Sequence, residues 1–172
     1  TKILGLEAEA QDSDIALQRL DVVLTIGGTT GSASISKYVD TVSVYLDGKK
    51  IGSMDASDGD KEGRVWTFRF ADLNGVIREG DIGKLYVEVT PLSSIGSTEN
   101  GVSIVASIPS NGIRGVDAQG ISETYSMTST NTFTVSTATN GTASISEASD
   151  NPKSTTVKAD LSDTTDNVTL LS

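Results

Sequence analysis

Cysteine and histidine are both absent from the 172 residues of this chain. Without cysteine there is no disulfide, thiolate zinc site, iron–sulfur cluster or thiol nucleophile. Without histidine the commonest general base and transition-metal ligand is missing. Most familiar catalytic constellations are closed to such a chain, and the expectation is a protein that is not an enzyme. No run approaches the roughly 18 consecutive apolar residues of a membrane-spanning helix, so no membrane span is expected. Proline is scarce, at 3 residues, which excludes collagen-like and proline-rich classes. Basic residues are also few: 13 against 23 acidic ones leave a formal charge of −10. That sign repels phosphate backbones and anionic headgroups, so nucleic acid is not an expected partner. An acidic surface either keeps a crowded protein soluble or collects divalent cations.

What is present is a period of two, the signature of strands, because successive side chains point to opposite faces. The chain opens in an apparent strand, Thr1 to Ala10, with no signal-peptide pattern, so residue 1 is not expected to be the translation start. Ile15 and Leu17, then Leu20, Val22, Leu24 and Ile26, form two runs separated by a one-residue slip at Gln18–Arg19, as a β-bulge produces. Val42, Val44 and Leu46 alternate next. Trp66, Phe68 and Phe70 follow, then Leu85, Val87 and Val89, then Val102, Ile104, Ala106 and Ile108. These are the expected core.

Turn pairs such as Asp47-Gly48, Asn100-Gly101 and Gln119-Gly120 fall between the runs and supply positive φ at low steric cost. Val42 to Met54 reads as a hairpin around Asp47-Gly48. At most a short helical turn, near Ala71–Gly75, is expected besides strands. Strands recurring about every ten residues imply an all-β, antiparallel β-sandwich with Greek-key or jelly-roll connections over residues 1–137. Residues 138–172 become Ser/Thr-rich and read as an extended linker or the start of a next module. Within them Thr142 to Ser146 and Thr155 to Ala159 still alternate. The final Val168-Thr169-Leu170-Leu171-Ser172 matches Thr1-Lys2-Ile3-Leu4-Gly5 in pattern, as a module repeated head to tail would. Coincidence between two short apolar strands is the alternative.

The stretch Leu6-Glu7-Ala8-Glu9-Ala10 leading to Asp14-Ile15-Ala16-Leu17-Gln18-Arg19-Leu20-Asp21-Val22, followed by Val42-Ser43-Val44-Tyr45-Leu46-Asp47-Gly48-Lys49-Lys50-Ile51-Gly52, resembles the tandem Ig-like β-sandwich modules of large bacterial cell-surface proteins, surface-layer types among them. Phe70 to Ile77, through Gly80 to Leu85-Tyr86-Val87-Glu88-Val89, is similar to the turn and strand that follow in those modules. The resemblance spans roughly residues 1 to 110. It implies an Ig-like sandwich, a secreted or cell-surface location, modular assembly, and no catalytic motif. The glycine-rich segment Asn111 to Gly120 departs from that pattern.

Among candidate sites, Asp55, Asp58, Asp60 and Glu62 crowd a glycine-bearing loop, and calcium takes several hard oxygen ligands from such loops. The spacing does not fit an EF-hand, and a solvated hairpin loop is the plainer reading; calcium is the only cofactor in view, and none is required. Asp12 with Asp14, and Asp160, Asp163 and Asp166, are weaker groupings. Asp72, Glu79, Glu88 and Asp117 are the carboxylates available for an acid–base pair of the glycosidase kind. Trp66 is expected in the core, and Tyr38, Tyr45, Tyr86 and Tyr125 at strand positions. Asn140 and Asn167 begin Asn-x-Thr sequences. Lys2 and Lys84, within strands, are expected to face solvent rather than form isopeptide links.

The function expected is that of a structural, non-enzymatic module of an extracellular protein. It would build a lattice or filament with neighbouring copies through terminal strands carrying Ile3, Leu4, Leu6, Val168, Leu170 and Leu171. The rival is an adhesin or carbohydrate-binding module that takes a glycan on the loops Pro91–Gly101 and Asn111–Gly120.

Overall fold

The computed structural model describes residues 1–126 and 130–137. In chain order the strands are β1 (Lys2–Glu9), β2 (Ile15–Ile26), β3 (Val39–Leu46), β4 (Lys49–Asp55), β5 (Asp60–Glu62), β6 (Val65–Ile77), β7 (Ile82–Pro91), β8 (Val102–Ser107), β9 (Ile113–Val116), β10 (Ser122–Tyr125) and β11 (Thr130–Val135). Two single 3-10 turns, Ile35–Lys37 and Ala56–Asp58, complete the set. No helix among the described residues is long and apolar enough to cross a membrane.

Among the described residues every strand pairing is antiparallel, and the strands form two sheets packed face to face, an all-β sandwich as expected. Sheet A has 4 strands in the order β1-β7-β3-β4. Sheet B has 7, with β5, β6, β2, β9 and β10 in a row and β8 and β11 branching from β2. The branch arises because β2 is long. Its first half, Ala16 to Leu20, bonds β9, and its second half, Val23 to Ile26, bonds β8. The inner faces carry the alternating residues of the sequence: Val22, Val42, Val44, Phe68, Val87 and Ile104 are fully buried.

The slip at Gln18–Arg19 is a bulge. The register of β2 against β6 breaks between Leu17, opposite Gly75, and Arg19, opposite Ala71. Three residues of β6, Asp72 to Asn74, therefore face the single Gln18. Asp72 takes a positive φ of 54° to make the excursion, and Leu73 returns to the core at 7% exposure. The helical turn expected near Ala71–Gly75 is thus a bulge within a continuous strand, since both features are built from the same turn-forming residues. The Asp47-Gly48 hairpin forms as expected, with both residues at positive φ, 49° and 84°, as a two-residue turn requires.

Across the outer face of sheet A runs a row of side chains, one from each strand. Tyr86 on β7 stacks on Tyr45 on β3 at 4.9 Å with planes 5° apart. Lys2 on β1 lies 3.9 Å over Tyr86, and Lys50 on β4 lies 5.7 Å from the centre of Tyr45. Gly5 is the register partner of Tyr86, and the β1 side chain that covers the ring is Lys2. Such an aromatic pair contributes about 0.5–1.5 kcal/mol beyond the area it buries.

At the end of the sandwich where β2 finishes, the loop after Ile26 is wrapped around one guanidinium. Arg64 donates to the carbonyls of Ile26, Gly27, Thr30 and Gly31 at 3.2, 3.4, 2.8 and 3.3 Å. Trp66 Nε1 donates to Ala33 O at 2.9 Å and the Tyr38 hydroxyl to Ser32 O at 2.8 Å. Gly31, at φ 73°, has no room for a side chain, because a Cβ would stand 2.6 Å from the Tyr38 hydroxyl.

Burial, and then the negative charge of Glu99, raise the Tyr38 phenol above its ordinary pKa. The folded state therefore holds that proton more tightly than the unfolded chain does. Its contribution to stability is complete below about pH 10 and is lost as the pH climbs beyond. Denaturant titrations across the alkaline range should show a stability decline that is shallower in Tyr38→Phe; identical slopes would contradict this. Arg64→Ala should cost about 2–3 kcal/mol, because hydrogen bonds to a charged donor are lost and carbonyls are left unpaired. A cost below about 0.5 kcal/mol, the range of an ordinary surface substitution, would show that the loop is held by other means.

Candidate functional site

The four carboxylates proposed for calcium lie on a crossover and not in a hairpin loop. Asp55 ends β4 in sheet A, Asp58 sits in the 3-10 turn, and Asp60 and Glu62 are on β5 in sheet B. The segment passes from one sheet to the other because Ala56 is buried at 2% exposure and Gly59 runs against aromatic rings. A Cβ at Gly59 would meet Phe68 at 2.9 Å. The four acidic side chains are exposed around this plug. Among the described residues no three His, Cys, Asp or Glu side chains are grouped so as to hold a metal ion.

The remaining carboxylates are dispersed. Asp117 accepts from the backbone N–H groups of Gln119 and Ile121 at 2.9 and 2.8 Å and so ties the turn between β9 and β10. Asp14 accepts from Glu79 N at 2.9 Å. Asp72 and Glu88 stand on β6 and β7, in different sheets. Among the described residues the one buried carboxylate is Asp21, which takes two hydrogen bonds from Arg69 at 3.0 and 3.3 Å. That contact, and the charge behind it, raise the Arg69 pKa. Asp21 is thus a satisfied structural ion pair.

The aromatic residues are equally occupied. Trp66 is in the core at 6% exposure, as expected. Tyr45 and Tyr86 are stacked on each other, and each is flanked on its other side by a lysine, following the strand order across sheet A. Their faces are filled by neighbours of the same row. Four residues of the segment Asn111–Gly120, read in sequence as a recognition loop, are strand: β9 bonds both β2 and β10.

Of the terminal residues, Ile3, Leu4 and Leu6 are buried at 1, 4 and 7% in the module's own core. Their side chains are committed inward, and what β1 offers outward is backbone. Val168, Leu170 and Leu171 lie outside the described residues, as do Asn140, Asn167, Asp160, Asp163 and Asp166.

One open feature is a groove that no sequence motif marked. β1 ends sheet A: it pairs with β7 on one side, and on its other side the hydrogen bond present is from Asn131 Nδ2 to Ile3 O at 2.8 Å. Beyond that point, from Leu6 to Ala10, the edge of β1 faces a groove of about 570 Å³ whose opposite wall is β9 and β10. Its floor is the apolar core seen from the side: Leu6, Leu17, Ile77, Leu85 and Ile113. Its rim holds 5 carboxylates, Glu7, Glu9, Asp12, Asp117 and Glu123, and no basic side chain.

β10 explains the gap. Every residue from Ile121 to Ser126 is exposed, although Ile121, Glu123 and Tyr125 point to the groove side. Ile121 is 59% and Tyr125 42% exposed. Among the described residues sheet B extends past the last strand of sheet A, and no strand lies opposite the inner face of β10. The sequence signal for this was the alternation Ile121, Glu123, Tyr125, too short to distinguish from a loop. Burial, then the hydrogen bond to Glu123 at 3.1 Å, raise the Tyr125 phenol above its ordinary pKa.

The fold thus defines the protein's class as an all-β antiparallel sandwich of two packed sheets. No family model, curated protein or solved structure matches the chain, so function is argued from this geometry.

Because β10 is exposed on both faces, Ile121→Ser with Tyr125→Ser should leave stability within about 0.5 kcal/mol, as for surface positions. The same variant should bind a hydrophobic dye such as ANS more weakly than the unaltered chain. A loss of several kcal/mol, of the size core truncations give, would mean that the groove is closed in solution.

Proposed function

We propose that this chain is a non-enzymatic structural module of an extracellular cell-surface protein, which builds a lattice or filament with neighbouring copies through β-strand contacts. The observation that carries the reading is the mismatch between the sheets. Sheet A stops at β1 while sheet B continues to β10, leaving a backbone edge and an apolar face side by side.

Unpaired edges are the part of a β-protein most prone to recruit another strand, and natural proteins ordinarily blunt them with charge, bulges or a covering segment. The lower half of β1 carries Glu7 and Glu9 on its outer face, but its inner face opens on exposed hydrophobic side chains. An added strand would bond β1 through its backbone and fill the groove with alternate side chains, the arrangement of β-strand addition. The acidic surface, −10 overall, suits a crowded extracellular layer, since net charge keeps copies from associating except where a specific contact outweighs repulsion.

Light scattering and electron microscopy over a range of protein concentration, with and without added calcium, test this reading. The expected result is growth into filaments or sheets as concentration rises. Particles of one chain's mass at every concentration would contradict it. Dependence of growth on calcium would assign the acidic crossover at Asp55–Glu62 a part in assembly.

A further inference from the structure

We propose that the groove between β1 and β10 accepts residues 153–161 of a second copy of this chain, laid as an extra strand along the free edge of β1. The proposal rests on the polymer reading above and specifies the acceptor and donor it requires. Residues 153–161 lie outside the described residues, so the match is argued from their sequence and from the shape and charge of the groove.

The first argument is geometric. Completing sheet A beyond β1 needs one strand about as long as Leu6 to Ala10, roughly 17 Å at about 3.3 Å per residue. Its inward side chains would cover Leu6, Leu85 and Ile113 on the floor and Ile121 and Tyr125 on the far wall.

The second argument is pattern. In Lys153-Ser154-Thr155-Thr156-Val157-Lys158-Ala159-Asp160-Leu161 the positions 157, 159 and 161 are apolar and alternate with charged ones. One face of such a strand is apolar and the other polar, as an edge strand over a core requires. Small residues suit a groove already narrowed at Gly115, where a Cβ would stand 2.8 Å from Ile15.

The third argument is charge. The groove is lined by 5 carboxylates and no basic side chain; of the five, Glu7 has Lys84 in register on β7. Beyond Thr137 the chain has two basic residues, Lys153 and Lys158, and both fall in this segment. With Val157 and Ala159 turned inward, Lys158 projects to the outer face of the sheet, where the Glu7 and Glu9 carboxylates of β1 stand. Complementary charge of this kind sets register and speeds encounter.

The last argument is reach. The chain leaves the sandwich at Val135–Thr137, held there by Gly101 N to Val135 O at 2.8 Å and Thr137 N to Asn100 Oδ1 at 3.0 Å. The sixteen residues 138–153 that follow can span up to about 50 Å when extended, more than the length of β1. A donor segment can therefore enter a neighbouring molecule without displacing either module.

The native absence of cysteine makes the test direct. One variant of the 172-residue chain carries Ala8→Cys in the groove, a second carries Ala159→Cys, and the two are mixed under mild oxidation. The expected result is a disulfide-linked heterodimer. Its yield should fall by about tenfold when Lys158→Cys replaces Ala159→Cys, because a one-residue shift turns the side chain to the opposite face. It should also fall in Glu7→Lys, Glu9→Lys, Glu123→Lys chains and in high salt, as screened charge attraction does. In a third variant carrying both Ala8→Cys and Ala159→Cys, a disulfide that forms only within one chain would overturn the proposal in favour of a strand donated by the chain to itself. Filaments without any Ala8–Ala159 link would overturn it while leaving the polymer reading intact; neither filaments nor links would end both.

Discussion

The constraint on which this structure turns is that every backbone N–H and C=O in a sheet needs a partner, and a sandwich with open ends cannot supply them all from within. Two sheets of unequal width make the problem unequal. On one side of the molecule the sheets end together, and the crossover from β4 to β5 seals them, with Ala56 buried and Gly59 lying against Phe68. On the other side sheet A ends at β1 and sheet B runs on to β9 and β10. A bond from Asn131 to Ile3 O crosses the upper part of that side, which is itself an open depression of about 910 Å³ along Lys2–Glu7, and the lower part is the groove.

The same asymmetry explains where the polar chemistry of the chain is used. Arg64 is spent on four loop carbonyls, Arg69 on Asp21, and Asp117 on its own turn. The two outer tyrosines of sheet A are stacked against each other and covered by Lys2 and Lys50. Each of these groups answers a local structural demand, and each demand has been met. At one place a backbone edge, exposed Ile121 and Tyr125, and a rim of carboxylates adjoin.

Much of the fold was legible in the sequence because a period of two survives wherever one face is buried. Val42, Val44, Phe68, Val87 and Ile104 were placed in the core by alternation alone, and the slip at Gln18 gave the bulge of β2. Asp72-Leu73-Asn74-Gly75 misled, because turn-forming residues serve a wide bulge as readily as a helical turn. β9 and β10 were missed for a different reason. They are 4 residues each, and although Tyr125 was expected at a strand position, the alternation Ile121, Glu123, Tyr125 is too short to distinguish from a loop. The groove was illegible because its walls come from residues 6–17, 77, 85 and 113–126, which no local pattern joins. The acidic cluster Asp55–Glu62 was conspicuous in sequence and proves to be a sheet-to-sheet crossover, since carboxylates crowd there on the outside of a turn whose inner residues are small.

Backbone amide hydrogen exchange in dilute and concentrated protein tests the central claim, that sheet A is completed by a strand from a neighbour. The account predicts that amides along Leu6–Ala10 exchange readily in dilute solution and gain protection on assembly, together with those of β10. Protection gained instead along the outer edges of β4 and β5, with β1 and β10 unchanged, would contradict it.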